Sequence, residues 1–358
     1  MKIYLRSSGN VSPQKTFGDD FFSEPTPAVE GDSLKCLEPS YGEWIDKKAL
    51  RRMSRMVKMG LAAALRSLRS AGLPTPEAVV TATAYGCLED TADFLTQTIR
   101  EREDLLTPTA FIQSTHNTLG AQIALYTGAH GYNNTFAHGV TSFESALLDA
   151  TLLLQEGRAG AVLLGAADES TEPENNILRR FGFFKKRTFL KEGLFASHSK
   201  GTLSGEGAAF FVLSKEPSPQ NLAELSGFTT FADPKGAPDL ENKITAFLSD
   251  LPENPLRLTD IDLVITGRNG DSRSDGIYDA LEKSCFAGKK VVPYKHLCGE
   301  YPTSSAFALW LAAEIAKTGV LPRWLANSEG PSTRPHRRIL ICHHPPNARH
   351  SLMLVSSC

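Results

Sequence analysis

A lysine, a histidine, a cysteine and a glutamate fall within six positions at Lys295-His296-Leu297-Cys298-Gly299-Glu300. A thiol beside an imidazole has the makings of a nucleophile and its base. A lone cysteine in a turn, however, packs more often as a small hydrophobe. Lys295 and Glu300 form an ion pair if the chain brings them close. His138 and Ser142 lie four residues apart and offer a second hydroxyl-imidazole pair. No G-x-S-x-G elbow accompanies them, which weighs against a hydrolase. His343, His344 and His350 supply three imidazoles, but Pro345-Pro346 intervenes and no carboxylate is near, so a loop is expected there and no metal. Gly201-Thr202-Leu203-Ser204-Gly205-Glu206-Gly207 feeds the apolar run Ala208 to Leu213. Taken alone, it reads as a tight turn whose glycines allow close backbone packing.

The elements that must position these residues alternate between helix and strand. Lys47 to Ser70 carries apolar residues at helical spacing, and Gly72 and Pro74 end it. Strands are expected at 78–85, 134–137, 161–167 and 208–213, and helices at 90–101, 119–126 and 140–155. The second half repeats the theme. Strands are expected near 222–231, 261–266 and 290–293, with helices at 240–251, 275–284 and 303–317. A closing hairpin is expected at 339–342 and 351–355. Pro217 to Asn221 is the best linker, so the expected halves are 1–215 and 216–358. This is a layered α/β architecture with the same element order in both halves.

Composition excludes several classes. The chain has 358 residues, 41% hydrophobic and 22% charged, with a net charge of -2. There is no basic footprint for nucleic acid and no apolar run long enough to span a bilayer. The opening Lys2-Ile3-Tyr4-Leu5 reads as a strand and lacks the apolar core of a secretory signal. The six cysteines are scattered without a C-x-x-C pair, which fits a reducing cytoplasm.

Four segments resemble the β-ketoacyl synthases, members of the thiolase-like fold. Gly205-Glu206-Gly207-Ala208 through Leu213 is similar to their G-E-G-A-x-x-x-V-L strand. Gly157 to Asp168 is similar to G-x-A-D-x-x-x-A-G-G-x-E. Lys295 to Ala306 is similar to K-x-x-x-G-H-x-x-x-A-A-G, and Asp262 to Asp275 has the length of D-x-V-x-x-H-G-T-x-T-x-x-x-D. The resemblance implies a duplicated, layered αβαβα fold. It also shows what is missing. Counting back from Gly157 puts Val140 at the family's cysteine, opening a vestigial nucleophile helix at 140–156. The first catalytic histidine falls on Gly267 and the second on Glu300, while Lys295 is retained. The G-F-G-G loop is replaced by Cys342 to Asn347.

Valine forms no thioester, glycine offers no donor, and an anionic glutamate repels an enolate. The resemblance therefore implies a chain-length-factor type subunit, closest to those of aryl polyene and flexirubin systems. Its partners would be an active ketosynthase and an acyl carrier protein, with no cofactor. Asn134 to His138 would lie at the dimer interface. Phe111, Gln113, Thr115 and His138 are the candidates to line an acyl tunnel, with plain core packing as the alternative for Phe111. Lys185-Lys186-Arg187 could meet an acidic carrier protein or be a solvated face. Two other readings remain open: an unusual homodimeric acyltransferase or decarboxylase, and a scaffold that only recruits a carrier protein.

Overall fold

Apolar residues alternate between two buried faces along most of the long strands, and this sets the architecture. The computed structural model describes residues 2–18, 21–22, 31–104, 106, 108–185, 193–232, 235–322, 325, 335–345 and 349–358. The first half runs β1 (Ile3–Val11), β2 (Ser33–Leu34), α1 (Lys47–Leu50), α2 (Arg55–Ser70), β3 (Ala78–Ala82), α3 (Leu88–Arg100), α4 (Pro108–Gln113), α5 (Thr118–Thr127), β4 (Tyr132–Phe136), α6 (Ser142–Gln155), β5 (Ala161–Asp168), α7 (Glu172–Arg180), β6 (Ser204–Gly205) and β7 (Gly207–Ser214). The second half runs β8 (Ala223–Phe231), α8 (Ala237–Ser249), β9 (Leu263–Thr266), α9 (Gly276–Lys283), β10 (Lys290–Pro293), α10 (Lys295–Cys298), α11 (Ser305–Thr318), β11 (Arg338–His343) and β12 (His350–Ser356).

Ten strands form one mixed sheet in the order β10-β9-β11-β12-β8-β1-β7-β5-β3-β4. Numbered along the chain within each set of five, both sets have the order third, second, fourth, fifth, first. The sets meet at β1 and β8 through three antiparallel pairs, Ile3 with Leu225, Tyr4 with Glu224 and Leu5 with Ala223. A separate small sheet joins β2 to β6.

Both faces of these strands are covered. Along β5, Val162, Leu164 and Ala166 enter one core while Ala161, Leu163 and Ala167 enter another. Along β12, Met353 and Val355 join the first core, while Leu352 and Leu354 enter a third. The first core is central and holds Phe143 and Leu147 of α6 with Phe307 and Leu311 of α11. The second lies under α2 and α5, and the third under α8 and α9. Helix, strand, helix, strand and helix layers follow. Each fully buried Leu or Phe contributes about 1.5–3 kcal/mol to holding them.

Several boundaries shift by a few residues, the strand expected over 78–85 ending at Ala82, and two helix starts differ for a physical reason. The helix expected over 47–70 breaks between Leu50 and Arg55, because Ser54 adopts an extended conformation and caps α2, its Oγ accepting from the Val57 amide. The helix expected from Val140 begins at Ser142, after a single 3-10 turn at Gly139–Thr141.

Candidate functional site

Val140 and Glu300 line one cavity of about 220 Å³, together with Tyr85, Glu174, Phe183 and Tyr301. Val140 arrives on the turn ahead of α6. Ser142 holds that turn, its Oγ accepting from the His138 amide at 2.8 Å and donating to the Gly139 carbonyl at 2.7 Å. Glu300 arrives through a close backbone approach. A Cβ on Gly205 would lie 2.0 Å from the Cys298 carbonyl oxygen, and one on Gly299 would lie 2.5 Å from the Gly205 Cα. Gly299 also has φ +76°. Only glycine fits at these two positions. The contact lets the Gly205 amide donate to the Glu300 carbonyl and the Glu300 amide to the Leu203 carbonyl.

The Glu300 carboxylate is held at both oxygens. Lys295 Nζ, 1% exposed along its side chain, donates to Oε1 at 2.5 Å. Asn269 Nδ2 donates to Oε2 at 2.8 Å. Lys295 also donates to Ser304 Oγ. Asp275 steadies the Asn269 turn by accepting from the amides of Asn269 and Gly270 at 3.1 and 2.7 Å. Lysine, glutamate and asparagine therefore form one connected polar unit in the cavity wall.

Gly267 is buried. A Cβ there would lie 2.9 Å from Tyr278 Oη and 3.0 Å from His343 Nδ1. His343 shares a hydrogen bond of 2.9 Å with Tyr294 Oη through Nδ1, and among the described residues its Nε2 has no hydrogen-bond partner. Burial, with Lys295, His350 and His344 adding to it, holds the imidazole well below its usual pKa, so it is neutral. His344 and His350 stack with ring centroids 4.0 Å apart. Among the described residues no group of three or more His, Cys, Asp or Glu is arranged to hold a metal ion.

The remaining candidates scatter. Phe111 is 54% exposed and rests on Phe94 at 5.3 Å, so plain core packing does not describe it. Gln113 turns inward, its Nε2 donating to the Arg52 carbonyl at 3.0 Å. Thr115 is exposed and pairs with Thr118 Oγ1 at 2.8 Å. His138 is exposed, its Nδ1 3.0 Å from Ser145 Oγ. Cys298 is fully buried, and desolvation pushes its thiol far above the ordinary range, so it is no ready nucleophile. Lys185 is buried, Nζ donating to Ser199 Oγ at 2.8 Å and to the Gly270 carbonyl at 3.0 Å, and is no solvated face. Lys186 and Arg187 lie outside the described residues.

Residues missed in the sequence are Asn269, Tyr294, Tyr278 and the pair Glu169 and Glu174. Both carboxyls are pushed up to about 7, chiefly by burial. Only Asn269 had a local signal, its place two residues past Gly267.

Residues 37–177 match the family described as beta-ketoacyl synthase, N-terminal domain. No curated protein matches the sequence. Among solved structures, the ishigamide ketosynthase/chain length factor aligns over 100% of this chain and 99% of its own, with a TM-score of 0.78 at 18% identity. This is the thiolase-like ketosynthase fold. A ketosynthase (ApeO) in complex with its chain length factor (ApeC) from Xenorhabdus doucetiae aligns over 100% and 98%, with a TM-score of 0.76 at 15% identity. A type II polyketide synthase acyl-carrier protein in complex with its ketosynthase, AntDE:AntF, aligns over 100% and 99%, with a TM-score of 0.73 at 15% identity. Within that ketosynthase fold, Val140 and Glu300 share a cavity, while Gly267 packs against Tyr278 and His343. No helix of the described residues is long and apolar enough to cross a membrane.

Proposed function

We propose that this chain is a non-catalytic, chain-length-factor type subunit that pairs with an active β-ketoacyl-carrier-protein synthase and shapes the tunnel for its growing acyl chain. The observation that carries the reading is the state of the cavity wall. Val140 offers no nucleophile, and the carboxylate of Glu300 is fully engaged by Lys295 and Asn269. Space for a side chain at 267 is closed by Tyr278 and His343. A site that needs a thiolate and two imidazoles has none of them free to act. We assign the system to the aryl polyene or flexirubin type on the Cys298-Gly299-Glu300-Tyr301-Pro302-Thr303 segment, place it in the cytoplasm, and divide the chain at 215/216, in keeping with the matching strand order of the two halves.

The partner's surface follows from exposed apolar groups. β4 pairs only with β3 among the described strands, leaving an open edge. The helices that pack against β4 carry Leu125, Leu148 and Leu152, which are 76%, 49% and 42% exposed. Phe111 and Ile112 are exposed as well, at 54% and 59%. Such a surface fits a large apolar interface with a second ketosynthase-fold chain. An acyl carrier protein is the expected second partner of the assembled pair.

Native mass spectrometry of this chain alone and with a candidate ketosynthase tests the reading. A one-to-one heterodimer with acyl groups loaded only on the partner supports it. A homodimer that ignores the partner and loads acyl groups itself overturns it, in favour of an active acyltransferase or decarboxylase.

A further inference from the structure

The cavity behind Val140 has its own recognition chemistry, independent of the subunit role above. Its walls are largely apolar and aromatic, with Tyr85, Phe183 and Tyr301 around Val140. Four carboxylates line it, Glu169, Glu174, Asp271 and Glu300, and among the described residues no lysine, arginine or histidine does. Two of these acids are already answered from outside the lining, Asp271 by Arg273 and Glu300 by Lys295. Glu169 accepts from the Glu89 amide at 3.0 Å, and Arg55 and Lys35 act on Glu169 and Glu174 from a distance while pairing with Glu206, so these two acids carry the charge an incoming molecule would meet. The volume of about 220 Å³ has room for one aromatic ring with a short chain.

We propose that this cavity is a binding site for a compact aryl-alkyl amine, a molecule of one aromatic ring and one protonated amino group. The ring is matched by the aromatic walls, and the ammonium by the acids and ring faces. Anions of the same size are repelled, because each added negative charge meets carboxylates in a cavity of low dielectric. The acids also set the pH dependence. Glu174 faces Tyr85, Asp168 and Lys35, and Glu169 faces Glu89, Asp90 and Arg55. Burial places both near 7, so raising the pH from about 6 to about 8 ionises them and strengthens attraction for the amine, whose own pKa lies well above that range.

The test is calorimetric titration of the full chain with 2-phenylethylamine and with 3-phenylpropionate, of similar size and opposite charge. The amine should bind at least about tenfold more tightly than the carboxylate, and more tightly at pH 8 than at pH 6. Val140→Trp, which fills the cavity, and Glu174→Gln should each weaken amine binding about tenfold without changing the heterodimer. If the tryptophan variant fails to fold, Tyr85→Ala takes its place, because Tyr85 is 47% exposed and its loss spares the core. Equal affinity for the two probes, binding unaffected by these variants, or no binding by either probe overturns the proposal. None of these results bears on whether a ketosynthase partner is captured.

Discussion

Asp168 and Thr303 join the two halves of the fold through one buried carboxylate. Asp168 Oδ2 accepts from the Thr303 amide at 3.1 Å and from Thr303 Oγ1 at 2.7 Å. Oδ1 accepts from Thr83 Oγ1 and the Ala84 amide, both at 2.8 Å. One side chain thus closes off four donors from the loop after β3 and the start of α11. Asp168→Ala would strand buried amides on both sides, and loss of about 3 kcal/mol is expected, read from urea unfolding midpoints. A change under about 1 kcal/mol would mean that water replaces the carboxylate.

The Lys295–Glu300 pair is a matter of geometry more than of net stability. Desolvation of Lys295 offsets much of the Coulomb gain, yet removing one partner leaves a buried charge. Glu300 is 23% exposed along its side chain, so water softens the loss. Glu300→Gln should cost about 2–3 kcal/mol and weaken heterodimer assembly. The double variant Lys295→Met with Glu300→Gln should recover much of the stability. An unchanged melting point and assembly for Glu300→Gln would remove the pair from consideration.

Reinstating the missing groups should fail. Gly267→His forces a side chain against Tyr278 and His343 and should destabilise by about 1–3 kcal/mol. The triple variant Val140→Cys, Gly267→His, Glu300→His should take no acyl group from a carrier protein. Mass-detected acyl loading of that variant would show the cavity still adapted for chemistry.

Three carboxyls predict the pH profile of stability. Burial works against the charge on Glu206, but Arg55 binds both its oxygens, at 2.8 and 2.5 Å, and holds its pKa below the ordinary value. Its contribution is complete above the unfolded value of about 4.5 and lost as pH falls through the folded one. Glu169 and Glu174, raised to about 7, act in the opposite sense: the folded state keeps protons that the unfolded state has released, so stability falls from about pH 4.5 to pH 7. The melting temperature should therefore decline across that range, and Glu169→Gln with Glu174→Gln should flatten the decline. A wild-type profile level from pH 5 to pH 7 would contradict the assignment.

Phe111 should act through the partner. It is exposed on the single chain, so Phe111→Ala should leave the melting point within about 1 °C while shifting the product of the assembled pair to greater length. An unaltered product spectrum would place this residue outside the tunnel.

The fold was largely legible because its signals are local. The apolar runs at 161–167 and 208–213 mark strands buried on both faces, and the spacing of α2 and α6 marks helices. The break at Ser54 was legible in principle, since a serine ahead of an apolar helical stretch is a cap, but the amphipathic pattern runs straight across it. Val140, Glu300 and Lys295 could be named from spacing, and the structure brings Val140 and Glu300 to one cavity and Lys295 to Glu300. It was not legible at Tyr294, Tyr278 and His343. Their meeting around Gly267 depends on strands and helices distant in the chain, and no periodicity records it. Glu206 and Arg55 lie 151 positions apart for the same reason.

The seam between β1 and β8 bears on how the protein is made. β1 leaves the ribosome about 200 residues ahead of β7, its neighbour on one side, and of β8 on the other. At the usual pace of synthesis it waits roughly 10–40 s with both edges open and its apolar residues uncovered. The strand at the middle of the sheet thus emerges well before either of the two strands that seat it. A chaperone that shields extended segments during translation would act most usefully on this one, and slowing synthesis before residue 223 should lower the yield of folded chain more than slowing it afterwards.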